Sequence, residues 1–216
     1  MPGEFNLIEK YFVGRQKQRK DVLLAAGDDC ALVKVPDNLS VAISTDTLVA
    51  GTHFLRDANP AWVAHKALCS NISDLAAMGA TPAWVSLALT MPTPDEAWLA
   101  PFCETFFELA DYYGIQLIGG DTTKGPLSVT LTVQGLVDAD KALRRDGAHV
   151  GDWIYVTGNL GDSKAGLDVI LDAQRRSTPF AAELEQRHYL STPRVLVGQA
   201  LLNLASSAID ISDGFD

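Results

Sequence analysis

The stretch LSVTLTVQGLV, residues 127–137, alternates apolar and polar side chains along most of its length. Leu127, Val129, Leu131 and Val133 interleave with Ser128, Thr130, Thr132 and Gln134. A period of two sends successive side chains to opposite faces of an extended chain. The stretch therefore predicts a strand in a sheet with one buried face and one more polar face. VAIS at 41–44 and WVSLALTM at 84–91 read as further strands, since β-branched and aromatic residues suit a pleated, half-buried surface.

Helical signals lie between these runs. The segment from Thr93 to Gly114 has Thr93 placed as N-cap, Pro94 at the first helical position and Glu96 three residues after the cap, the pattern of a capping box. Leu99, Phe102, Phe106, Leu109 and Tyr113 then recur at helical spacing, an aromatic stripe read as core packing, and Gly114 supplies the stop. A second helix is predicted to begin near Pro60, to bury Leu68, Ile72 and Leu75, and to end at Gly79. Strands alternating with helices give an α/β (α+β) protein. After the polar stretch DADKALRRDGAH at 138–149 the pattern restarts with WIYVTG as a strand, the glycine-rich loop TGNLGDSKAG and a helix. The chain is therefore divided near residue 140 into a domain over 1–140 and the start of a second over 141–216.

Composition narrows the function. Of 216 residues, 47% are hydrophobic and 20% charged, with 17 Lys and Arg against 27 Asp and Glu for a net charge of −10. Such a chain lacks the basic stripe that nucleic acid demands. No apolar run approaches the roughly 20 residues of a membrane span. The start, MPGEFNLIEKYF, lacks the basic-then-apolar order of a signal peptide. Cys30, Cys69 and Cys103 have neither metal-ligand nor disulfide spacing, so a cytoplasmic protein is expected, with Cys30 and Cys69 as small packing residues.

The acids recur beside apolar runs. Asp28 and Asp29 follow LLAAG, Asp46 ends a strand, Asp74 sits in an apolar helix, Asp121 follows IQLIGG, and Asp210 and Asp213 follow another apolar run. One such acid alone is most simply a turn residue or a cap. Several of them at the rims of packed elements need a compensating charge, which a hard divalent cation such as Mg²⁺ supplies through oxygen ligands. Ser44, Thr45, Thr47, Thr122 and Thr123 add hydroxyls, and Gly119 and Gly120 let backbone N–H groups approach an anion. The chain has no GxxxxGK[ST] loop and no protein-kinase loop set, so a nucleotide site here is of another class.

In order, GDDCAL (27–32), STDTLVAGTHF (44–54), NISDLAAMGATP (71–82), GGDTTKG (119–125), GDWIYVTGNLGDSKAGL (151–167) and AIDISDG (208–214) resemble the thiamine-monophosphate kinase family. Its relatives are the aminoimidazole ribonucleotide synthetase, selenophosphate synthetase and hydrogenase-maturation dehydratase enzymes. The resemblance implies a two-domain aminoimidazole ribonucleotide synthetase-like fold, with a mixed N-terminal sheet covered by helices on one side and a homodimer formed through those sheets. It implies use of ATP and several Mg²⁺ ions to convert thiamine monophosphate into thiamine diphosphate, with no covalent nucleophile. Carried over by motif, Asp29 and Asp74 would share Mg²⁺, and Ser44, Thr45 and Asp46 would join them. His53 would touch the thiamine phosphate. Gly120 and Asp121 would hold nucleotide and metal, and Arg145 (or its neighbour Arg144) would reach the ATP phosphates. Asp210, Ser212 and Asp213 would complete the shell.

Two departures limit the transfer. The position of an adenine-facing aromatic reads Phe102-Cys103 here, so no adenine contact is assigned. Family chains also continue past SDG, so the second domain is expected to be cut short, with substrate contacts missing. Two competing expectations remain: a non-catalytic nucleotide- and metal-binding dimer, and a selenophosphate synthetase-like enzyme. The second would want a reactive cysteine near the start, and MPGEFNLIEKYF has none. His65, His149 and His188 are read as structural, and Lys124 as an exposed loop residue.

Overall fold

A computed structural model describes residues 9–172 and 174–212. Two short strands, β1 (Val22–Leu24) and β2 (Leu32–Val33), pair antiparallel. They are followed by β3 (Ser40–Val49), α1 (Pro60–Ala77), β4 (Thr81–Met91), α2 (Glu96–Tyr112), β5 (Gln116–Lys124) and β6 (Ser128–Val137). The later part of the chain supplies α3 (Asp162–Leu171), α4 (Ala181–Tyr189) and α5 (Val195–Leu201).

Strands β3, β6, β4 and β5 form a sheet in that order. β6 runs antiparallel to both β3 and β4, whereas β4 and β5 are parallel, which their connection through α2 requires. The sheet is thus mixed. The alternation that opened the sequence holds: Val129, Leu131 and Val133 are wholly buried and the residues between them only half so. The buried face meets Val63, Leu68, Ile72 and Leu75 of α1 and Leu99, Phe102 and Phe106 of α2. Ile170, Tyr189 and Val195 of the later helices join the same core.

The opposite face is largely uncovered. It carries Ile43, 65% exposed, and two cross-strand hydroxyl pairs, Thr45–Thr132 and Thr47–Thr130, each at 2.9 Å. Only at one end does a small cluster of Val22, Ala83, Trp84 and Ile118 form, with Ala25, Ala31 and Val33 of the β1–β2 region packed against it.

Helix α1 begins at Pro60 as predicted, with Asn59 accepting from Ala61 N–H, and Gly79 follows it in the left-handed region. Helix α2 starts later than predicted. Asp95, not Thr93, is its N-cap, because the Asp95 carboxylate accepts from the N–H groups of Ala97 (3.0 Å) and Trp98 (3.3 Å). Glu96 turns instead to Lys10 and to the Tyr11 hydroxyl. Asp46 and Asp121 lie inside β3 and β5 rather than beyond strand ends, since each strand's pairing runs on past the acid. WIYVTG forms no strand: an extended backbone needs a neighbour for its N–H and C=O groups, and none pairs with it among the described residues. Trp153, Ile154 and Tyr155 are each more than four-fifths exposed.

Cys30 is exposed, against the expectation that it packs, while Cys69 and Cys103 are buried in α1 and α2. Burial pushes both buried thiols up to about 12. Iodoacetamide at neutral pH is therefore expected to alkylate one thiol per native chain, at Cys30, and all three only after unfolding. Peptide mass mapping of the native protein checks this, and rapid labelling of Cys69 would contradict the packing described.

Candidate active site

A cleft of about 440 Å³ opens where β3, the C-terminal half of α1, the loop at 143–146 and the segment at 208–210 converge. Ser44, Asp74, Arg145 and Asp210 line it together. Alternation along β3 accounts for the first. Ala42 and Leu48 are buried toward the helices, so Ser44 and Asp46, in register with them, face the same way. Asp74 comes from the facing helix, and the Ser44 hydroxyl donates to its Oδ2 at 2.5 Å.

Arg145 and Asp210 are far apart in sequence and are brought together by the backbone. The Ser207 hydroxyl donates to the carbonyls of Arg144 (2.7 Å) and Arg145 (3.0 Å), and Ala208 N–H donates to the Arg144 carbonyl. Gly147 allows this approach: a Cβ there would sit 1.9 Å from the Ser206 carbonyl oxygen. The adjacent arginines then differ in what they hold. Arg144 makes a two-point pair with Asp146, Nε to Oδ1 at 3.0 Å and Nη2 to Oδ2 at 2.9 Å, which holds the Asp146 carboxyl below its usual range. Arg145 forms no ion pair among the described residues, although it lines the cleft.

Asp210 supplies the sharpest chemical signal. Its Oδ2 is buried and has no hydrogen-bond partner among the described residues. A buried carboxylate oxygen without a donor costs free energy unless a proton or a cation meets it. The donor set around it (Asp74, Asp210 and the Ser44 hydroxyl) consists only of oxygens, which suits Mg²⁺. The described residues contain no preformed group of three or more His, Cys, Asp or Glu able to hold a metal. Asp74 and Asp210 line the same cleft.

The other predicted residues stand apart. The Thr45 hydroxyl is on the opposite sheet face from Ser44 and Asp46, bonded to Thr132, because adjacent strand residues send their side chains to opposite faces. Asp121 aligns with Ala88 on the same open face of the edge strand. Three inter-strand steps, roughly 14 Å, separate it from β3. Asp29 is exposed in the loop after β1, where its N–H is bonded by Asp28. Ser212 is exposed two residues beyond Asp210, and Asp213 lies outside the described residues.

Gly120 has a packing role of its own. A Cβ there would lie 1.9 Å from the Leu87 carbonyl oxygen, a backbone atom of β4 that cannot swing away. Gly120→Ala is expected to lower Tm by roughly 5 °C or more through overpacking. Calorimetry checks this, and an unchanged Tm would mean that the strands separate there freely.

His53 occupies the tight turn after β3. Val49 N–H donates to its Nδ1 at 3.0 Å, so the ring carries its proton on Nε2, the nitrogen left to donate outward. Its exposed position leaves that nitrogen reachable. His65 Nε2 meets the Ser191 carbonyl, and the backbone N–H of His149 donates to the Asp152 carboxylate. Sequence reading missed Ser207, which holds the backbone of both arginines, and Asp146, which occupies Arg144. Only the short spacing of Asp146 from Arg144 could have signalled either.

Comparison with known proteins defines the class first. Residues 27–137 match the AIR synthase related protein, N-terminal domain, a stretch that holds β3 to β6 with α1 and α2. The thiamine-monophosphate kinase of Escherichia coli K12 is 57% identical over 213 residues, covering 98% of this chain and 66% of that protein. The crystal structure of thiamine-monophosphate kinase from Stenotrophomonas maltophilia K279a superposes with a TM-score of 0.86 at 42% identity, covering 96% of this chain and 67% of that one. AaThiL complexed with AMPPCP and TMP gives a TM-score of 0.76 at 31% identity, with coverages of 97% and 65%. The chain belongs to the thiamine-monophosphate kinase family of AIR synthase related proteins. It spans 66% of the length of the Escherichia coli relative, just under two thirds.

Proposed function

We propose that this protein transfers the γ-phosphate of ATP to thiamine monophosphate, giving thiamine diphosphate, with Mg²⁺ held by the acidic cleft. The observation that carries the reading is the buried Oδ2 of Asp210, without a hydrogen-bond donor among the described residues, in a cleft that also receives the Arg145 guanidinium, which forms no ion pair among them. One group calls for a cation and the other for an anion, which together suit a metal-bound phosphate. Family membership supports the same reading, and AaThiL has been captured with AMPPCP and TMP.

The acceptor is a phosphate oxygen already ionised at neutral pH, so no general base is needed. That oxygen attacks the γ-phosphorus in line, the bond from the γ-phosphorus to the β–γ bridging oxygen breaks, and ADP leaves with the electron pair. Arg145 holds the ATP phosphates by charge-assisted hydrogen bonds. The Nε2–H of His53 donates to the substrate phosphate, and the Ser44 hydroxyl orients Asp74. Asp46, Asp74 and Asp210, with Ser44, would hold Mg²⁺ on the helix side of the sheet. Asp29, Thr45, Ser212 and Asp213 are proposed to complete the metal and phosphate shell, with Gly120 and Asp121, on the far edge strand, holding nucleotide and metal. Mg²⁺ would offset the repulsion between the two anions as they meet.

We further place a domain division near residue 140, just past the matched stretch. The open sheet face, with Ile43 and its threonine pairs, is proposed as the surface of a homodimer. The acidic composition favours a partner list without nucleic acid. No helix of the described residues is long and apolar enough to cross a membrane, and we propose a cytoplasmic location.

The test is Mg²⁺-dependent formation of thiamine diphosphate from ATP and thiamine monophosphate, measured on this chain and on one extended to the length of its relatives. Product from either form supports the reading. Absence of product from both, or a phosphorylated protein intermediate in a single turnover, would overturn it.

A further inference from the structure

Lys66 is a half-buried cation that none of the proposed chemistry uses. It projects from α1 and donates to the backbone carbonyl of His53 at 2.9 Å. Its Nζ also lies 2.9 Å from His188 Nε2 on α4 and 5.5 Å from the Tyr189 ring centre. Burial alone draws its pKa down, and none of the ion pairs among the described residues includes it. A lysine in that position loses hydration without gaining a carboxylate, which is costly unless its donors find specific acceptors.

The acceptors are specific. His188 Nδ1 lies 3.0 Å from the Ser163 carbonyl at the start of α3, a partner that can only accept. The Ser163 hydroxyl, 3.2 Å from the same nitrogen, can accept as well, and the Lys66 ammonium on Nε2 can only donate, so Nδ1 carries the proton and Nε2 keeps a lone pair for Lys66. Burial and the Lys66 charge hold the His188 pKa down, in keeping with a neutral ring. The links run unbroken from the His53 turn through Lys66 to His188 and the first turn of α3. The turn after β3 and the helices beyond residue 160 are thereby tied at one ammonium.

We propose that Lys66 is a positioning residue: by holding the His53 carbonyl and His188 Nε2 together, it sets the His53 turn for the substrate phosphate and makes that setting depend on the docking of α3 and α4. The proposal rests on the reading of His53 as a contact to thiamine monophosphate. The ammonium touches neither substrate nor reacting atoms; it acts through the carbonyl of the residue that does. The residues proposed for the nucleotide, Gly120, Asp121 and Arg145, are not among its partners.

The experiment compares Lys66→Met, which keeps the apolar stem, with Lys66→Arg, which keeps the donors. In the Met variant the KM for thiamine monophosphate is expected to rise about tenfold, as for loss of one charge-assisted hydrogen bond. The KM for ATP stays within about twofold, and Lys66→Arg recovers most of the loss. Imidazole ¹⁵N spectra of the same proteins provide a readout free of activity: His53 and His188 signals shift together in Lys66→Met and return toward the parent in Lys66→Arg. Parallel rises in both KM values, or His53 signals indifferent to the Met substitution, would overturn the proposal. Should the unsubstituted protein form no thiamine diphosphate, the reading of its activity fails. The spectra still decide whether Lys66 sets the His53 turn.

Discussion

Asp210→Asn is expected to reduce thiamine diphosphate formation by roughly a hundredfold or more, the scale on which preorganised charge at a transferring group acts. The fold should survive, because the substitution keeps shape and removes a charge. The Asp210 Oδ2 is buried with no hydrogen-bond donor among the described residues. An amide in its place escapes the cost of burying an ion. The Tm of the metal-free variant is therefore expected to equal or exceed that of the parent. The order reverses with Mg²⁺, which should raise the Tm of the parent and leave that of Asp210→Asn nearly unchanged. Thermal scans with and without Mg²⁺, beside steady-state rates, check both parts. A variant that is unstable without metal, or one still stabilised by Mg²⁺, would show that Asp210 serves packing rather than a cation.

The second large effect separates two neighbours. Arg145→Met is expected to raise the KM for ATP about 10- to 100-fold, since a guanidinium bonded to phosphate contributes on the scale of charged hydrogen bonds. Arg144→Met should change it by about threefold at most. Both arginines line the cleft, and the difference follows from Asp146, which takes Arg144 in a two-point pair while Arg145 forms no ion pair among the described residues. Both arginines are solvent-exposed and carry the same charge, so a general loss of electrostatic attraction would affect them alike. Steady-state kinetics across ATP concentration decide it, and equal losses at the two positions would remove Arg145 from its role.

Much of the fold was legible because period and punctuation agree over long segments. The alternation from Leu127 to Gln134, the helix start at Pro60, the stops at Gly79 and Gly114, and the apolar spacing of α1 each point to one structure. Misreadings came where two local signals competed. Thr93-Pro94 and Asp95 all suit a helix start, and the side chain that reaches two backbone donors prevailed. WIYVTG has strand composition, but a strand requires a neighbour, and composition cannot supply one.

The candidate site was legible as a set of residue types rather than as an arrangement. Asp74 and Asp210 stood out as acids beside apolar runs, and the structure brings both to one cleft. Facing direction was only partly readable: alternation turns Thr45 away from Ser44, and the sheet order carries Asp121 to the far edge. Strand order depends on pairings between distant segments, which no local pattern encodes. The contributions of Ser207 and Lys66 rest on backbone carbonyls of other segments, and a carbonyl has no letter in the sequence.

The most direct test of the central claim is a crystal structure of this protein with a non-hydrolysable ATP analogue and thiamine monophosphate, with Mn²⁺ replacing Mg²⁺ so that anomalous scattering locates the ions. The account predicts Mn²⁺ bound to Asp210 Oδ2 and to Asp74, with an ATP phosphate within hydrogen-bond distance of Arg145. Ions and phosphates bound wholly outside that cleft would contradict it.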